Sequence, residues 1–284
     1  MKKQGKNIRF CPKGYSDEVE AKIQQYKRDG VRLPQRHLLR TAEQLAGIRE
    51  SAKINTALLN YLSEHIEEGM TTADIDHMVY CFTTDHDAIP APFGYEGFPK
   101  SVCTSINDVV CHGIPSTKEV LRNGDILNVD VSTIYKGYFS DASRMFMIGN
   151  VPPEWQRLVQ VAKECRDIGV EMARPWIRLG DIGAAIQEHA EKNGYSVVRD
   201  LCGHGVGVKF HEEPDVEHFG KRGTGMMIVP GMTFTIEPMI NMGSYEVFID
   251  EADGWTVCTE DGLPSAQWES MVLITEDGHE VLTE

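Results

Sequence analysis

Residues 124–146, GDILNVDVSTIYKGYFSDASRMF, have the pattern of a β-hairpin. The first arm alternates in polarity and is rich in β-branched residues, residues 134–137 form the turn region, and a second strand-like arm follows. Each arm carries one aspartate, Asp130 and Asp141. The hairpin therefore brings two carboxylates to one face of a sheet.

The register of the turn decides how close the two aspartates lie. A two-residue turn at Tyr135-Lys136 places them directly opposite each other, and a turn at Lys136-Gly137 makes them diagonal neighbours on the same face. Like charges placed in either way repel and destabilise a sheet. A shared proton, which raises one pKa, or a cation between them would relieve the repulsion. The alternative is two solvated aspartates on an exposed face, and the hairpin alone leaves it open.

The composition is that of an ordinary globular protein that uses no structural cysteine framework. The chain has 284 residues, with 41% hydrophobic and 25% charged residues, which fits one large α/β or α+β unit. The basic N-terminus is followed by no apolar segment of the secretory type, so we expect the chain in the cytoplasm. Its seven cysteines are scattered without a C-x-x-C pair, which argues against disulfides and a structural zinc site.

The net charge of −15 is unevenly distributed. Residues 1–40 hold eleven Lys/Arg and four Asp/Glu, a net charge of +7, which leaves −22 for the rest. An acidic body with a basic arm is unlike a DNA-binding domain. The arm alone could contact RNA or a ribosome. We favour the simpler interpretation, a solvated extension with one short helix and a linker.

Hydrophobic periodicity and capping signals predict five helices. They cover residues 16–27, a long helix from residue 41, residues 72–85, residues 153–172 and residues 181–192. Strands are predicted at residues 101–105, 109–111, 196–198, 232–239 and 268–275, besides the hairpin. Both halves of the chain thus follow the order helix, helix, strand.

Two short matches indicate that the halves are related by duplication. The segments GDILNVD, which ends at Asp130, and GMTFTIE, which ends at Glu237, are 107 residues apart. The pair Asp74-Ile75 matches Asp181-Ile182 at the same offset. A shared offset is a repeat signal, although each match is brief. It predicts that Asp130 and Glu237 are equivalent and face a common centre.

The remaining polar residues in apolar, glycine-rich settings point to a metal site. They are His112, His204, His211, Glu237 and Glu269. Buried carboxylates need partners. Four carboxylates with the His204 imidazole carry too much negative charge for one ion but suit two divalent ions, and these ligand types favour Mn, Fe, Co or Zn. Two ions about 3.5–4 Å apart can hold a hydroxide between them and make it a nucleophile at neutral pH.

Five motifs resemble those of the type I methionine aminopeptidases. They are CHGIP, NVDVSTIYKGYFSDASRMF, CGHGVGVKFHEEP, PGMTFTIEPM and SAQWES. The resemblance implies an α+β pita-bread (creatinase/aminopeptidase) fold with pseudo-two-fold symmetry, in which helices pack on the outer face of an antiparallel sheet. It also implies a dinuclear site whose ligands are Asp130, Asp141, His204, Glu237 and Glu269. Asp130 and Glu269, together with Asp141, would span both metal ions.

The resemblance further implies an activity and roles for individual residues. The N-terminal methionine is removed from nascent proteins and peptides when the second residue is small, by attack of the metal-activated hydroxide on the first peptide bond. Glu237 would accept and shuttle the proton, His211 would stabilise the oxyanion, and His112 would contact the scissile amide. The methionine side chain would lie in an apolar pocket, with Pro92 nearby, formed by Tyr95, Phe98, Cys103, Phe210 and Trp255.

Three departures from the family pattern concern the surroundings of the ligands. Ser270 follows the last glutamate where the family usually has histidine, which bears on the tuning of the metal site. Phe98 stands where tyrosine is common, and Pro92 where a small residue or cysteine is common. Both affect the shape of the pocket.

Two alternatives remain on the same scaffold. One is an X-Pro aminopeptidase or prolidase, which usually carries a larger N-terminal domain than residues 1–40 can supply. The other is a non-catalytic binding protein, a class that characteristically loses ligands. The sequence predicts a division into a basic extension and linker, residues 1–40, and a catalytic domain, residues 41–284, with halves at about 41–150 and 151–284. We expect a monomer.

Overall fold

The computed structural model describes residues 9–284, so the lysines at positions 2, 3 and 6 of the basic segment lie outside the described residues. Five α-helices form within that range. They are α1 (Asp17–Arg28), α2 (Ala42–His65), α3 (Thr72–Asp85), α4 (Pro153–Met172) and α5 (Leu179–Lys192). Each predicted helix is therefore present, and α5 begins two residues earlier than expected.

The strands are short except for the central hairpin. They are β1 (Ile89–Pro90), β2 (Cys103–Ile106), β3 (Val109–Cys111), β4 (Ile126–Tyr135), β5 (Tyr138–Met147), β6 (Ser196–Val197), β7 (Gly203–Gly205), β8 (Glu212–Val216), β9 (Thr233–Ile236), β10 (Met239–Asn241), β11 (Val247–Ile249), β12 (Val257–Thr259), β13 (Ser265–Gln267), β14 (Ser270–Ile274) and β15 (His279–Val281). All the pairings among them are antiparallel.

Each half of the chain buries its own set of apolar side chains between helices and strands. In the first half, α2 and α3 pack on the hairpin of β4 and β5, and Leu59 and Val131 are among the fully buried residues between them. In the second half, α4 covers strands β9, β10 and β13, and α5 packs on α4 and on β6, with Phe234 among the fully buried residues. Burial of each such side chain stabilises the fold by about 1.5–3 kcal/mol.

The structure confirms the internal repeat. An isolated β-bridge joins Thr71, just before α3, to Val120. A second joins Arg178, just before α5, to Met227, and both of its residues lie 107 positions after their counterparts in the first bridge. Asp74 accepts a hydrogen bond from the backbone N–H of Thr71, and Asp181 does the same for Arg178, both at 2.8 Å. The repeated Asp-Ile pair is therefore a repeated helix cap.

The structure corrects two strand predictions. The predicted strand 232–239 is two strands, because β9 ends before Glu237 and β10 begins after Pro238. β9 pairs with β14 in a five-stranded sheet, whereas β10 pairs with β13 in a three-stranded sheet. Proline has no N–H to donate to a ladder, so the chain leaves one sheet and enters the next at this position. The predicted strand 268–275 is shortened to β14, which begins at Ser270. The preceding strand β13 pairs with β10, whereas β14 pairs with β9, so the chain changes sheets between them.

Helix α1 packs onto the second half instead of extending into solvent. Ser16 caps the helix, and Val19 and Ile23 are 4% and 0% exposed within the core of that half. The Tyr15 hydroxyl donates to the backbone carbonyl of Arg40 at 2.9 Å. The simple solvated extension favoured from the sequence is therefore wrong for residues 9–40, although the domain boundary at residue 41 stays a prediction.

Two further expectations concern membranes and cysteines. Within residues 9–284, no helix is both long enough and apolar enough to cross a lipid bilayer. All seven cysteines are free, and Cys11, Cys103, Cys111 and Cys165 are buried. This agrees with the absence of a disulfide framework expected from their spacing.

Candidate metal centre and active site

The hairpin adopts the register in which the two aspartates are diagonal neighbours. Tyr135 pairs with Tyr138, so Lys136 and Gly137 form the turn, and both have positive φ (50° and 84°). This is the geometry of the two-residue turn that matches strand twist. Asp130 pairs with Ser143, and Asp141 pairs with Ser132, whose hydroxyl donates to its Oδ1 at 2.7 Å. Both carboxylates therefore face the same side.

Glu237 and Glu269 lie where the chain changes sheets. Ile236 pairs with Ser270 on one side of this seam, and Met239 pairs with Gln267 on the other. The two glutamates occupy the interval between these pairs, where no ladder constrains the backbone. The seam also meets the first half of the chain, because the Glu269 N–H donates to the Ser143 carbonyl at 3.2 Å.

His204 reaches the same place from β7, and its tautomer follows from its contacts. Its Nδ1 lies 3.1 Å from the Gly205 carbonyl, which can only accept, so Nδ1 carries the proton. The free Nε2 lies 3.6 Å from Asp141 Oδ2 and 3.7 Å from Glu237 Oε1. Burial lowers the pKa of His204 to about 3, so the ring is neutral and forms no ion pair with either carboxylate.

All five predicted metal ligands line one cavity of about 550 Å³. One ligand atom each from Asp141, His204 and Glu269 lies within 4.8 Å of the others. Asp130 and Glu237 complete the lining of this end of the cavity. Asp130 and Glu237, which the repeat predicts to face a common centre, therefore line the same cavity.

The four carboxylates are strongly perturbed by burial and by one another. Burial raises the pKa of Asp130 to about 7 and that of Glu237 to about 8. Burial and the nearby Asp130 raise the pKa of Asp141 well above its usual value, and burial and Asp141 do the same for Glu269. Such a cluster must either hold protons or bind cations at neutral pH.

The model of metallopeptidase family M24 matches residues 46–276. This chain belongs to metallopeptidase family M24. The chain is 49% identical to methionine aminopeptidase A of Synechocystis over 245 residues, which is 86% of this chain and 96% of that protein. It is 42% identical to the methionine aminopeptidase of Escherichia coli K12, covering 86% of this chain and 93% of that one.

Solved structures of M24 proteins share the fold. The crystal structure of methionine aminopeptidase from Rickettsia prowazekii matches with a TM-score of 0.85 and 46% identity, over 87% of this chain and 99% of that one. A prolidase from Pyrococcus horikoshii matches with a TM-score of 0.68 and 20% identity, over 63% of its own length. The second match indicates the common pita-bread fold alone. The fold inferred from the sequence motifs is therefore confirmed.

The donor set fits the divalent metal ions of an M24 metallopeptidase. Asp130 Oδ1 is a buried atom with no hydrogen-bond partner among the described residues, and the His204 Nε2 lone pair faces carboxylate oxygens. A buried carboxylate oxygen without a partner is unfavourable, and so is a nitrogen lone pair facing carboxylate oxygens. A cation bound between these groups would relieve both. Four oxygen-donor side chains and one imidazole are suitable for two divalent ions of the Mn, Fe, Co or Zn type.

The residues predicted for the substrate pocket line the same cavity. They are Pro92, Tyr95, Phe98, Cys103, Phe210 and Trp255, and they are joined there by His112 and His211. Phe98 meets Trp255 edge to face at 5.2 Å, and Tyr95 meets Phe210 in the same way at 4.9 Å. His112 has a positive φ of 57°, a conformation that costs energy for a residue other than glycine.

Sequence reasoning missed several polar neighbours of the ligands. Thr235 donates to Glu237 Oε1 at 2.5 Å, Gln267 donates to Oε2 at 3.2 Å, and the Glu237 N–H donates to His218 Nε2 at 3.1 Å. Thr235 and Gln267 stand inside the quoted motifs TFTIEPM and SAQWES, two residues before a ligand. On a strand that spacing places both side chains on one face, a signal that could have found them.

Ser270, the departure beside the last glutamate, has a clear partner. It is fully buried, and its hydroxyl accepts a hydrogen bond of 2.6 Å from Arg166 on α4. Arg166 also pairs with Asp167 at 2.7 Å. In this chain a charged hydrogen bond from a helix therefore anchors the strand that follows Glu269.

Gly205 is predicted to be intolerant of any side chain. A Cβ at this position would lie 2.1 Å from the Glu213 carbonyl oxygen and 2.8 Å from that of Glu212, both of them backbone atoms. We expect Gly205→Ala to lower the free energy of unfolding by about 1–3 kcal/mol or more, since the backbone must shift. Gly278 has nothing within 4 Å of the same position, so Gly278→Ala is the matched control. Equal denaturation midpoints for the two variants would contradict the packing of β7 on β8.

Proposed function

We propose that this chain removes the N-terminal methionine from nascent proteins and peptides when the second residue is small. One observation carries the proposal: the five candidate metal ligands and the aromatic side chains predicted for the pocket line one cavity of about 550 Å³. This volume is typical of a site for a small ligand. The match to methionine aminopeptidases over more than nine tenths of their length supports the same activity.

Two divalent metal ions are proposed to be held by Asp130, Asp141, His204, Glu237 and Glu269. When bound, they supply Lewis-acid activation of water and of the peptide carbonyl near neutral pH. The side chains around the ligands keep them oriented. The Thr235 hydroxyl, for example, accepts a hydrogen bond from the His204 N–H at 2.9 Å and donates to Glu237. Such contacts fix the geometry of ligands before substrate arrives.

Proton transfer is assigned to Glu237. Its carboxylate is held at both oxygens, by Thr235 and by Gln267. It therefore presents a fixed acceptor to an attacking water and can return the proton to the departing amine, as a general base and then a general acid. His218 holds the backbone of the same residue through the Glu237 N–H.

Two histidines that line the cavity, His112 and His211, are assigned to the peptide bond. His211 is exposed, and its ring centroid lies 4.1 Å from that of His204, so it can donate to the oxygen of the tetrahedral intermediate. The ring centroid of His112 lies 6.2 Å from that of Trp255, and His112 is assigned to contact the scissile amide. The methionine side chain occupies the apolar part of the cavity, against Tyr95, Phe98, Cys103, Phe210 and Trp255.

A peptide panel tests the proposal. Release of the N-terminal residue is measured from Met-Ala-Ser, Met-Lys-Ser and Ala-Pro-Ser with each candidate metal added to protein stripped by a chelator. We expect rapid release from Met-Ala-Ser, at least about 100-fold slower release from Met-Lys-Ser, and no cleavage of Ala-Pro-Ser, by the specificity that a closed pocket provides. Cleavage of Ala-Pro-Ser alone would establish the X-Pro activity, and no cleavage at all with any metal would establish a binding protein.

The basic N-terminal segment is proposed to contact the ribosome, from which the substrates emerge in the cytoplasm. Lys27, Arg28, Arg32 and Arg36 are exposed on residues 9–40. Deleting the segment is a poor test, because Val19 and Ile23 belong to the core. We expect replacement of the four cations by glutamine to weaken salt-dependent sedimentation with ribosomes and to leave Met-Ala-Ser cleavage unchanged.

The control for this partner replaces four exposed cations elsewhere, Lys53, Lys192, Lys221 and Arg222, by glutamine. It changes the net charge equally. Equal sedimentation of the two variants would contradict a contact made by the segment. We also propose that the enzyme acts as a monomer, and light scattering at a mass of 31.8 kDa is the expected result.

A further inference from the structure

Arg40 is a fully buried cation between the N-terminal segment and α2. Its side chain is 1% exposed. Its backbone is fixed on both sides, because its N–H donates to the Gly231 carbonyl at 2.9 Å and its carbonyl accepts from the Tyr15 hydroxyl at 2.9 Å. A guanidinium in such a place needs acceptors, since desolvation of a charge costs several kcal/mol.

Two of the three acceptors of Arg40 lie at the two ends of one loop, and the third is Thr233 on β9. Its Nη2 donates to the Val206 carbonyl at 3.2 Å and to Glu212 Oε1 at 2.5 Å. Its Nε donates to the Thr233 hydroxyl at 2.8 Å, and that hydroxyl donates in turn to the Val206 carbonyl. Val206 directly follows β7 and Glu212 begins β8, so one nitrogen atom joins the end of one strand to the start of the next.

The loop between these ends carries the side chains at the mouth of the cavity. Phe210 and His211 are its last two residues, and the His211 ring lies against the rings of Tyr95, His204 and Phe210, with centroids 5.1, 4.1 and 4.2 Å away. These are tilted ring contacts, which restrain a side chain less strictly than directed hydrogen bonds do. The position of the His211 backbone therefore depends on how the loop ends are held.

We propose that Arg40 is a positioning residue. Its hydrogen bonds to both ends of the segment 206–212 fix the position of His211 over the cavity. The inference rests on the proposed role of His211 in methionine removal. It gives the N-terminal segment a part in catalysis, because Tyr15 anchors the backbone from which the Arg40 side chain extends. A displacement of His211 by about 1 Å is enough to lower turnover strongly, on the order of 100-fold.

The test removes both partners of the buried pair together. A buried ion pair replaced by apolar residues of similar volume commonly keeps or gains stability, whereas loss of one partner is costly. The variant Arg40→Met with Glu212→Met is therefore compared with wild type, and with Arg49→Met plus Glu280→Met as the control. The control pair is also an arginine–glutamate ion pair, with hydrogen bonds of 2.8 and 2.6 Å, but its side chains are 41% and 38% exposed.

We expect the buried-pair variant to lower kcat for Met-Ala-Ser about 10- to 100-fold, with KM and bound metal unchanged. The control pair should leave kcat unchanged. His211→Ala alone should lower kcat by about 100-fold or more. In the His211→Ala background the buried-pair variant should add nothing, because residues that act through one another are not additive.

Different failures are distinguishable. If His211→Ala lowers kcat and the buried-pair change multiplies that loss, Arg40 acts independently of His211 and the inference is wrong, while the proposed function stands. If His211→Ala has no effect, the role of His211 is wrong and the inference fails with it. If the paired variant does not fold, Thr233→Val is used instead, because it removes the hydroxyl that joins Arg40 to the Val206 carbonyl. The same comparison, with and without His211→Ala, then tests the inference.

Discussion

Asp130→Asn is expected to abolish methionine release from Met-Ala-Ser and to reduce the bound metal from two ions per chain. The substitution keeps the volume of the side chain but removes the negative charge and one oxygen donor. Loss of a group that only orients a ligand costs about 10- to 100-fold in metal affinity or activity, so loss of a ligand itself should exceed that range. Initial rates and elemental analysis of the same preparation measure both effects.

The matched control is Asp277→Asn. Asp277 is exposed in the turn before β15 and does not line the cavity. We expect it to keep the rate and the metal content of wild type. An Asp130→Asn protein with full activity would show that the cavity is not the catalytic centre.

The metal-free protein is expected to lose stability as the pH rises from about 6.5 to 8. Asp130 and Glu237, with pKa values raised to about 7 and 8, hold protons in the folded state that they have already lost in the unfolded state. Where the folded state binds more protons, the free energy of unfolding falls with pH, by about 1.4 kcal/mol per pH unit for each extra proton. The same carboxylates are ligands when metal is bound, so the decline should then disappear.

The pH window is set by the buried histidines. The pKa values of His204 and His218 are lowered to about 3 by burial, so below roughly pH 6.5 the unfolded state binds their protons and stability changes in the opposite direction. Urea denaturation at pH 7, 7.5 and 8, where most histidines of the unfolded state are neutral, measures the effect with a chelator or with Mn²⁺. Metal-free Asp130→Asn should be more stable than metal-free wild type at pH 8. A flat profile for metal-free wild type would contradict the clustered charge.

The secondary structure was largely predictable because its signals are local. The capping box at Thr41 and Gln44, for example, marks the start of α2. The hairpin was predictable in its arms but not in its register, since two turns one residue apart fit the same alternation. The register became known only from the pairing of Tyr135 with Tyr138.

Other features depend on contacts between distant residues. Nothing local in the sequence indicates that the Glu237-Pro238 interval and Glu269 lie opposite each other at the junction of two sheets. The docking of α1 was missed for the same reason, because the short amphipathic pattern around Ile23 does not reveal its partner surface. The buried pair of Arg40 and Glu212 joins residues 172 positions apart.

The site was more predictable than the fold around it. Asp130, Asp141, His204, Glu237 and Glu269 stand in dense, ordered motifs, and the family resemblance of those motifs implied that the five converge. The hairpin and the repeat indicated the same independently for Asp130, Asp141 and Glu237 alone. The polar groups that orient them, such as Thr235 and His218, were not found, because a threonine or a lone histidine in an apolar strand is ordinary in any core.

Anomalous X-ray diffraction from crystals grown with Mn²⁺ is the most direct test of the account. We predict two peaks in the cavity, each contacting side chains among Asp130, Asp141, His204, Glu237 and Glu269, and together contacting all five. Peaks outside this cavity, or an ordered cavity that stays empty at a Mn²⁺ concentration that supports methionine release, would contradict the proposed metal centre.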